Sequence, residues 1–294
     1  MANPQQLHQA VATPFSLDNN ILYQRWRDQK LKDYPKNLGD LLVEIKEQMR
    51  QPAHLINLKR VPALDRLSFD ADDGLFVGAL VRVRELETSA DVERHYAGLW
   101  QAVRELGSIQ VRCRATLAGN VCRASPSADT LPPLIADAGV VHLHGADGTR
   151  RVAAEDFFTG PGRTVLARDE IVTAFTLPAP PPRCGKAYIK HGRRKAMELA
   201  TVGVAVTLVL ADDGAVDDVH IVLGAVAPTP LRARRAEAMM RGERTSPGLL
   251  EIVARIAMEE SQPISDVRAS ADYRRRMVGV LTRRAIERAL ERAR

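Results

Sequence analysis

The chain has 294 residues, of which 45% are hydrophobic and 27% are charged, a composition typical of a globular protein with room for two domains. Its longest apolar run, residues 202–211, is far shorter than the roughly 20 residues that a membrane-spanning helix needs. Residues 1–20 lack the basic and apolar regions of a secretory signal, so we expect a cytoplasmic protein.

The net charge of +6 raises the question of nucleic-acid binding. Only 4% of the residues are aromatic and the arginines are scattered, so base-stacking side chains and a concentrated basic stripe are both missing from the sequence. A basic surface that docks on a partner subunit accounts for the charge equally well. The three cysteines, Cys113, Cys122 and Cys184, form no C-x-x-C pair, and we expect buried or half-buried thiols rather than metal ligands.

The N-terminal part of the chain contains several predicted helices and strands. In order, apolar spacing predicts a short helix within 21–31, a helix at 41–49, strands at 54–58 and 75–81, and a helix at about 96–106. Pro52 ends the second of these helices, and the turn residues Asp73-Gly74 precede the second strand. The sequence of residues 1–35 indicates no function.

A run of small and polar residues, TLAGNVCRASPSADTLPP at 116–133, lies in the middle of the chain and is poorly suited to a core element. Small residues after a hydroxyl let backbone N–H groups approach an anion closely. Thr116 and the backbone of 117–120 can therefore cradle a phosphate, and Asp129 can hold a polar group of the same ligand. On these residues alone, an ordinary connecting loop is the simpler interpretation.

Beyond this run, the sequence predicts, in order, a strand at 140–145, a turn at Asp147-Gly148, an antiparallel return at 150–152 and a strand at 170–177. His142 and His144 point to one face of their strand, which is the arrangement of a metal-ligand pair. No third ligand is nearby in the sequence, so we favour a solvated sheet face. Residues 178–182, Pro-Ala-Pro-Pro-Pro, form a stiff extended linker and the best candidate for a domain boundary.

The last third of the chain predicts strands followed by helices. An apolar strand at 201–210 leads through a hairpin turn at 212–214 into a strand at 219–226. Two or three helices close the chain, the last capped near Ser270 and running over 271–292. Strands first and helices last argue for an α+β fold.

The last predicted helix has two faces. We expect its apolar stripe to be core: Tyr273, Met277, Leu281, Ile286 and Leu290. We expect its arginines to form a solvated or subunit-facing surface: Arg274, Arg275, Arg283, Arg284 and Arg288.

The run at 116–133 resembles the second flavin loop of the FAD-binding medium subunits of molybdenum hydroxylases, the family of xanthine dehydrogenase, carbon monoxide dehydrogenase and 4-hydroxybenzoyl-CoA reductase. Members carry T-[IL]-G-G-N, then A-S-P-x-x-D and a Pro-Pro pair; this chain has them at 116–120, 124–129 and 132–133, with Ala118 replacing one glycine. Further segments resemble the family in order: 75–80, 156–160, 164–166, 169–171, 187–190 with Arg194, and 266–275.

The resemblance implies a fold and a division of the chain. Residues 1–178 would form an FAD-binding domain of the vanillyl-alcohol-oxidase-like (PCMH) type, made of two α/β subdomains. The first subdomain would reach to about residue 58 and is atypical before residue 41. Residues 184–294 would form a C-terminal domain of antiparallel sheet and helices.

The resemblance also implies a set of cofactor-binding residues, with no catalytic residue and no metal ligand in this chain. The residues implied for the FAD pyrophosphate are Thr116, Leu117, Ala118, Gly119 and Asn120. Asp129 would hold a polar part of FAD, Val172 would touch the flavin, and Lys190 would lie near the isoalloxazine. A positive charge beside that ring favours anionic reduced flavin and raises its potential.

By the same resemblance, the chain is an oxidoreductase subunit. A large molybdopterin-binding subunit would hydroxylate the substrate, a small subunit would relay electrons through [2Fe-2S] clusters, and FAD in this chain would pass them to an external acceptor. Molybdopterin and the clusters would be bound only by those partners. The substrate is set by another chain.

One family element, the first pyrophosphate loop, is not matched. Family members have an apolar strand that runs into A-G-G-T-D-L. In this chain the aligned residues are 36–43, where Leu38 takes the place of a glycine and the match resumes only at Asp40. Losing two or three charge-assisted hydrogen bonds of about 1.5–3 kcal/mol each would weaken FAD binding, unless Lys36 partly substitutes for them. The alternative is an FAD-depleted structural subunit that scaffolds the same type of complex.

Overall fold

The computed structural model describes residues 45–48, 51–52 and 56–294. The predicted helix within 21–31, most of the helix at 41–49 and the segment 36–40 lie outside these residues. The predicted strand at 54–58 is wrong in its described part, because Leu58–Arg60 is a short 3-10 helix. Its cause is local: the Asn57 side chain accepts a hydrogen bond from the Lys59 N–H at 3.0 Å, and such a side-chain turn competes with strand pairing.

Eleven strands are present in the described residues, all in antiparallel pairs. They are β1 (Leu67–Asp70), β2 (Gly74–Gly78), β3 (Val140–Gly145), β4 (Gly148–Ala153), β5 (Phe158–Gly160), β6 (Arg163–Thr164), β7 (Ile171–Leu177), β8 (Cys184–His191), β9 (Val202–Leu210), β10 (Val216–Gly224) and β11 (Leu231–Arg232). One sheet has the order β1-β2-β7-β3-β4, a second has the order β11-β10-β9-β8, and β5 pairs with β6. The strands predicted at 140–145, 150–152, 170–177 and 201–210 are confirmed.

Nine α-helices accompany the strands in the described part of the chain. They are α1 (Val83–Thr88), α2 (Ala90–His95), α3 (Ala97–Glu105), α4 (Ile109–Arg112), α5 (Leu117–Arg123), α6 (Leu131–Ala136), α7 (Arg234–Ala238), α8 (Pro247–Glu260) and α9 (Ala271–Ala293). The helix predicted at 96–106 is confirmed as α3. The expected α+β fold is also confirmed, since helices and antiparallel sheets make up separate layers.

The run at 116–133 was expected to be poorly suited to the core, and this prediction is wrong. It forms α5 and the first turn of α6, and Leu117, Val121 and Thr130 are fully buried. The Thr116 hydroxyl starts α5 by accepting the Gly119 N–H at 3.0 Å. The small residues therefore allow close helix packing.

The first sheet carries a second correction. His142 and His144 lie on one strand as predicted, yet the face is not solvated, because His144 is only 5% exposed. His142 is half-buried, its ring nitrogen lies 2.9 Å from the Thr176 hydroxyl of β7, and burial lowers its pKa. Among the described residues, no cluster of three or more His, Cys, Asp or Glu side chains could hold a metal.

The second sheet is covered on both faces, which explains the uninterrupted apolar run of β9. Along the strands, Tyr188, Ala205 and Val222 join the core of the N-terminal half. The alternate residues join a separate core formed with the C-terminal helices: Ala187, Val204, Val206, Ile221 and Leu223. Helices α3 and α6 lie on the first face, and α9 lies on the second.

Helix α9 starts as predicted, since the Ser270 hydroxyl accepts the Tyr273 N–H at 3.2 Å. Its core stripe is confirmed at Leu281, Ile286 and Leu290, whereas Tyr273 is 40% exposed. The expectation that its arginines form a solvated or subunit-facing surface is wrong for one of them.

That exception is Arg274, which is 2% exposed. Its guanidinium donates to the Thr201 and Ala225 carbonyls at 3.0 and 3.1 Å and pairs with Asp266 at 2.7 Å. A buried arginine is tolerated when its donors find such fixed acceptors. Arg274 therefore ties the start of α9 to two loops of the second sheet.

The cysteine prediction is confirmed: Cys122 is buried, Cys113 and Cys184 are half-buried, and all three are free thiols. None of the helices in the described residues has both the length and the apolar character to cross a bilayer.

Candidate functional site

The candidate site begins at the first turn of α5. Leu117 and Ala118 are buried, while Thr116, Gly119 and Asn120 are half-buried, so the accessible residues lie on either side of a buried apolar pair. The first amides of a helix have no intrahelical acceptor, and the cap satisfies only that of Gly119. The Thr116 hydroxyl keeps its own proton to donate.

The Asn120 side chain has a defined orientation. Its Oδ1 accepts a hydrogen bond of 2.6 Å from the hydroxyl of Thr130, the residue that precedes α6. Because the oxygen of the amide is engaged inward, its NH2 group, with two donors, is the part left for a ligand. Thr130 was not singled out from the sequence, since a threonine before a proline-rich turn carries no distinctive signal.

Asp129 lies next to Thr130 and joins the two halves of the chain. Its Oδ1 accepts from the Tyr188 hydroxyl and its Oδ2 pairs with Lys190 Nζ, both at 2.8 Å. The Asp129 and Lys190 side chains are 8% and 5% exposed. Burial raises the pKa of Asp129 to about 6, against the opposing effects of Lys190 and of the Tyr188 hydrogen bond.

The Lys190 ammonium is fully engaged in hydrogen bonds. Besides Asp129, it donates to the carbonyl oxygens of Glu105 at 3.1 Å and Glu198 at 2.7 Å. An ammonium has three donors, so Lys190 is a fixed charge rather than a mobile surface side chain. Its acceptors come from α3, from the segment before α6 and from the turn after β8.

The remaining predicted residue, Val172, lies on β7 opposite Leu143 and is 5% exposed. It belongs to the same buried core cluster as Leu117 and Val121 of α5, and α5 packs against β7. The structure thus brings Thr116–Asn120, Asp129 and Lys190 into one bonded arrangement through Thr130. Val172 has no bond to these residues and shares only the apolar core that α5 packs against.

Sequence reasoning also missed a pattern on β8. Lys186, Tyr188 and Lys190 alternate along the strand and therefore face the same side. Lys186 pairs with Asp137 at 3.0 Å, so the two lysines bind the aspartates at the two ends of α6. Lys186 and Lys190, four residues apart on one face of a largely apolar strand, could have indicated from the sequence that both lysines are buried and paired with carboxylates.

The donor set suits the phosphate of a dinucleotide. The Thr116 hydroxyl, the Ala118 backbone N–H and the Asn120 amide are neutral donors at the start of α5. The nearby carboxylate of Asp129 is buried and paired with a cation, which limits its repulsion of an anion. The described residues therefore fit the second of the two loops by which the resembled family holds FAD.

Comparisons with known proteins cover nearly the whole described chain. A family model for the FAD binding domain in molybdopterin dehydrogenase matches residues 39–180, and one for the CO dehydrogenase flavoprotein C-terminal domain matches residues 187–289. The carbon monoxide dehydrogenase medium chain of Afipia carboxidovorans is 32% identical over 87% of this chain and 88% of its own length. The xanthine dehydrogenase FAD-binding subunit of Escherichia coli O157:H7 is 28% identical over 85% and 86%.

Solved structures agree with these sequence matches. A chain of carbon monoxide dehydrogenase from Hydrogenophaga pseudoflava, in a form lacking the Mo-pyranopterin moiety of the molybdenum cofactor, superimposes with a TM-score of 0.86 at 31% identity. That match covers 97% of this chain and 95% of the other. Quinoline 2-oxidoreductase from Pseudomonas putida 86 gives a TM-score of 0.79 at 27% identity, over 86% and 87% of the two chains.

Proposed function

The chain belongs to the family of FAD-binding medium subunits of molybdenum hydroxylases, a group of oxidoreductase components, and we propose that it binds FAD and passes electrons through it. The electrons would come from [2Fe-2S] clusters of a partner subunit and leave to an external acceptor. The observation that carries the proposal is the start of α5, where the Thr116 hydroxyl and the Asn120 NH2 group are left as donors and Thr130 links Asn120 to the Asp129–Lys190 pair.

We assign the pyrophosphate of FAD to Thr116 and to the backbone of 117–120, with Asn120 contributing its amide. Neutral N–H donors at a helix start favour an anion because the helix dipole adds to the hydrogen bonds. FAD, when bound, supplies the redox chemistry. The protein supplies position and electrostatics.

Asp129 and Lys190 would lie on the flavin side of the site, together with Val172. Lys190 is a charge held by three acceptors, so it would act on the flavin from a fixed distance. Asp129 carries the opposite charge 2.8 Å away, and the pair therefore acts as a dipole with a weaker field than a lone lysine. Protonation of Asp129 would unmask the lysine charge.

The proposed organisation follows from the family. Residues 1–178 would form the FAD-binding domain and residues 184–294 the C-terminal domain, separated by the proline-rich linker. The chain would assemble with a large molybdopterin-binding subunit and a small [2Fe-2S] subunit; two of its relatives are named as medium chains of carbon monoxide dehydrogenase, which supports assembly with other chains. Three free cysteines favour a reducing, cytoplasmic location.

A scaffold subunit without FAD is the competing proposal, motivated by Leu38 in the altered first loop. FAD titration of the assembled complex separates the two. We expect saturable but weakened binding in the wild type, tighter binding in Leu38→Gly and weaker binding in Lys36→Ala. Arg255→Ala removes an exposed charge from α8 and should leave FAD affinity unchanged. Absence of saturable FAD binding in every variant would support the scaffold.

A further inference from the structure

We infer that Thr130 is a positioning residue for FAD: it orients the Asn120 amide so that its two N–H donors, and not its oxygen, face the cofactor phosphate. The inference deepens the proposed function and rests on it. Thr130 need not touch FAD, since its side chain is fully buried and directed at Asn120.

The orientation follows from hydrogen-bond chemistry. An asparagine amide presents an acceptor on one side and two donors on the other, and rotation by half a turn exchanges them. The Thr130 hydroxyl can donate or accept, but its distance of 2.6 Å from Oδ1 is typical of an O–H···O bond and shorter than N–H···O bonds usually are, which favours the rotamer with the NH2 group outward. The opposite rotamer would place a partial negative charge against the phosphate, so the orientation decides between attraction and repulsion.

Thr130 can impose this orientation because its own position is fixed from both sides. Its carbonyl accepts the Leu134 N–H at 3.2 Å, which begins α6. Its neighbour Asp129 is held by Tyr188 and Lys190 of β8 at 2.8 Å. A continuous set of bonds therefore runs from the second sheet through the start of α6 to the loop that would hold the pyrophosphate.

The test compares Thr130→Val, Thr130→Ser and a matched control. Valine keeps the shape of threonine but removes the hydroxyl, whereas serine restores it. Thr207→Val is the control, because the Thr207 hydroxyl donates at 2.7 Å to Asp137 at the far end of the same helix, away from Asn120. FAD affinity is measured by flavin fluorescence titration of the assembled complex, and melting temperature is recorded for each variant.

We expect Thr130→Val to raise the FAD dissociation constant about tenfold, the equivalent of one hydrogen bond. Serine should recover most of the affinity, and Thr207→Val should lower the melting temperature without changing FAD affinity. Equal affinity in wild type and Thr130→Val, or equal weakening in the Thr207 control, overturns the positioning role. If wild type itself binds no FAD, the proposed function fails instead, and the two failures are thereby distinguished.

Discussion

Replacing Lys190 by methionine tests the buried pair that joins the two halves of the chain. Methionine keeps much of the length and apolar stem of lysine but leaves the Asp129 carboxylate without its cation. Both side chains are less than 10% exposed, so solvent cannot replace the lost partner. Breaking such a pair from one side typically costs about 3–5 kcal/mol. We expect a loss near the lower end, about 3 kcal/mol at pH 8, because the Tyr188 hydroxyl still donates to Asp129.

The loss should depend on pH in a defined direction. The folded pKa of Asp129 is raised to about 6, above its value in an unfolded chain, so the folded state binds this proton more tightly. Removing Lys190 removes an effect that lowers this pKa, which raises it further. The variant can therefore neutralise Asp129 at pH 5, and its destabilisation relative to wild type should be smaller at pH 5 than at pH 8.

The assay is thermal or denaturant unfolding followed by circular dichroism at both pH values. Lys190→Met combined with Asp129→Asn should be less destabilised than the sum of the single changes, since no charge is left unpaired. Lys186→Met breaks the equally buried pair with Asp137 and should also destabilise the chain. A loss below about 1 kcal/mol at pH 8, in the range of an exposed pair, would refute the reasoning, as would a loss that is the same at both pH values.

Three further changes test other parts of the structure. Asn120→Asp keeps the acceptor for the Thr130 hydroxyl, so the melting temperature should be unchanged. It places a negative charge at the phosphate, so the flavin content should fall. Unchanged flavin content would contradict the assigned site. Gly185→Ala should destabilise strongly, because its Cβ would lie 1.8 Å from a carbonyl oxygen of α9, while Gly98→Ala, with 3.5 Å to its nearest neighbour, should be tolerated in unfolding experiments. Hydrogen bonds lower the pKa of Asp266 to about 2 against the opposing effect of burial, so the charged carboxylate stabilises the fold above about pH 4 and this stability is lost as the pH falls to about 2. Asp266→Asn should therefore lose less stability over this pH range than wild type. The same loss in both proteins would contradict the prediction.

Local patterns in the sequence determined much of the secondary structure. Alternation and apolar runs predicted β3, β7 and β9 close to their observed bounds, because the period of a strand is a property of neighbouring residues. The cap at Ser270 was also readable, since its acceptor and donor are three residues apart. The family, and with it the expected cofactor, followed from ordered motifs whose spacing is likewise visible along the chain.

The state of the charged residues was decided only by the tertiary structure. Lys190 meets Asp129 across 61 positions of sequence, and Arg274 meets the Thr201 carbonyl across 73. From the sequence, Arg274 was expected at a solvated or subunit-facing surface and His144 on a solvated sheet face, and both are buried within the chain. A helix or strand period tells which side chains share a face, whereas the layer that covers that face comes from elsewhere in the chain. Burial, pairing and the pKa of Asp129 depend on that layer and so could not be read from local sequence.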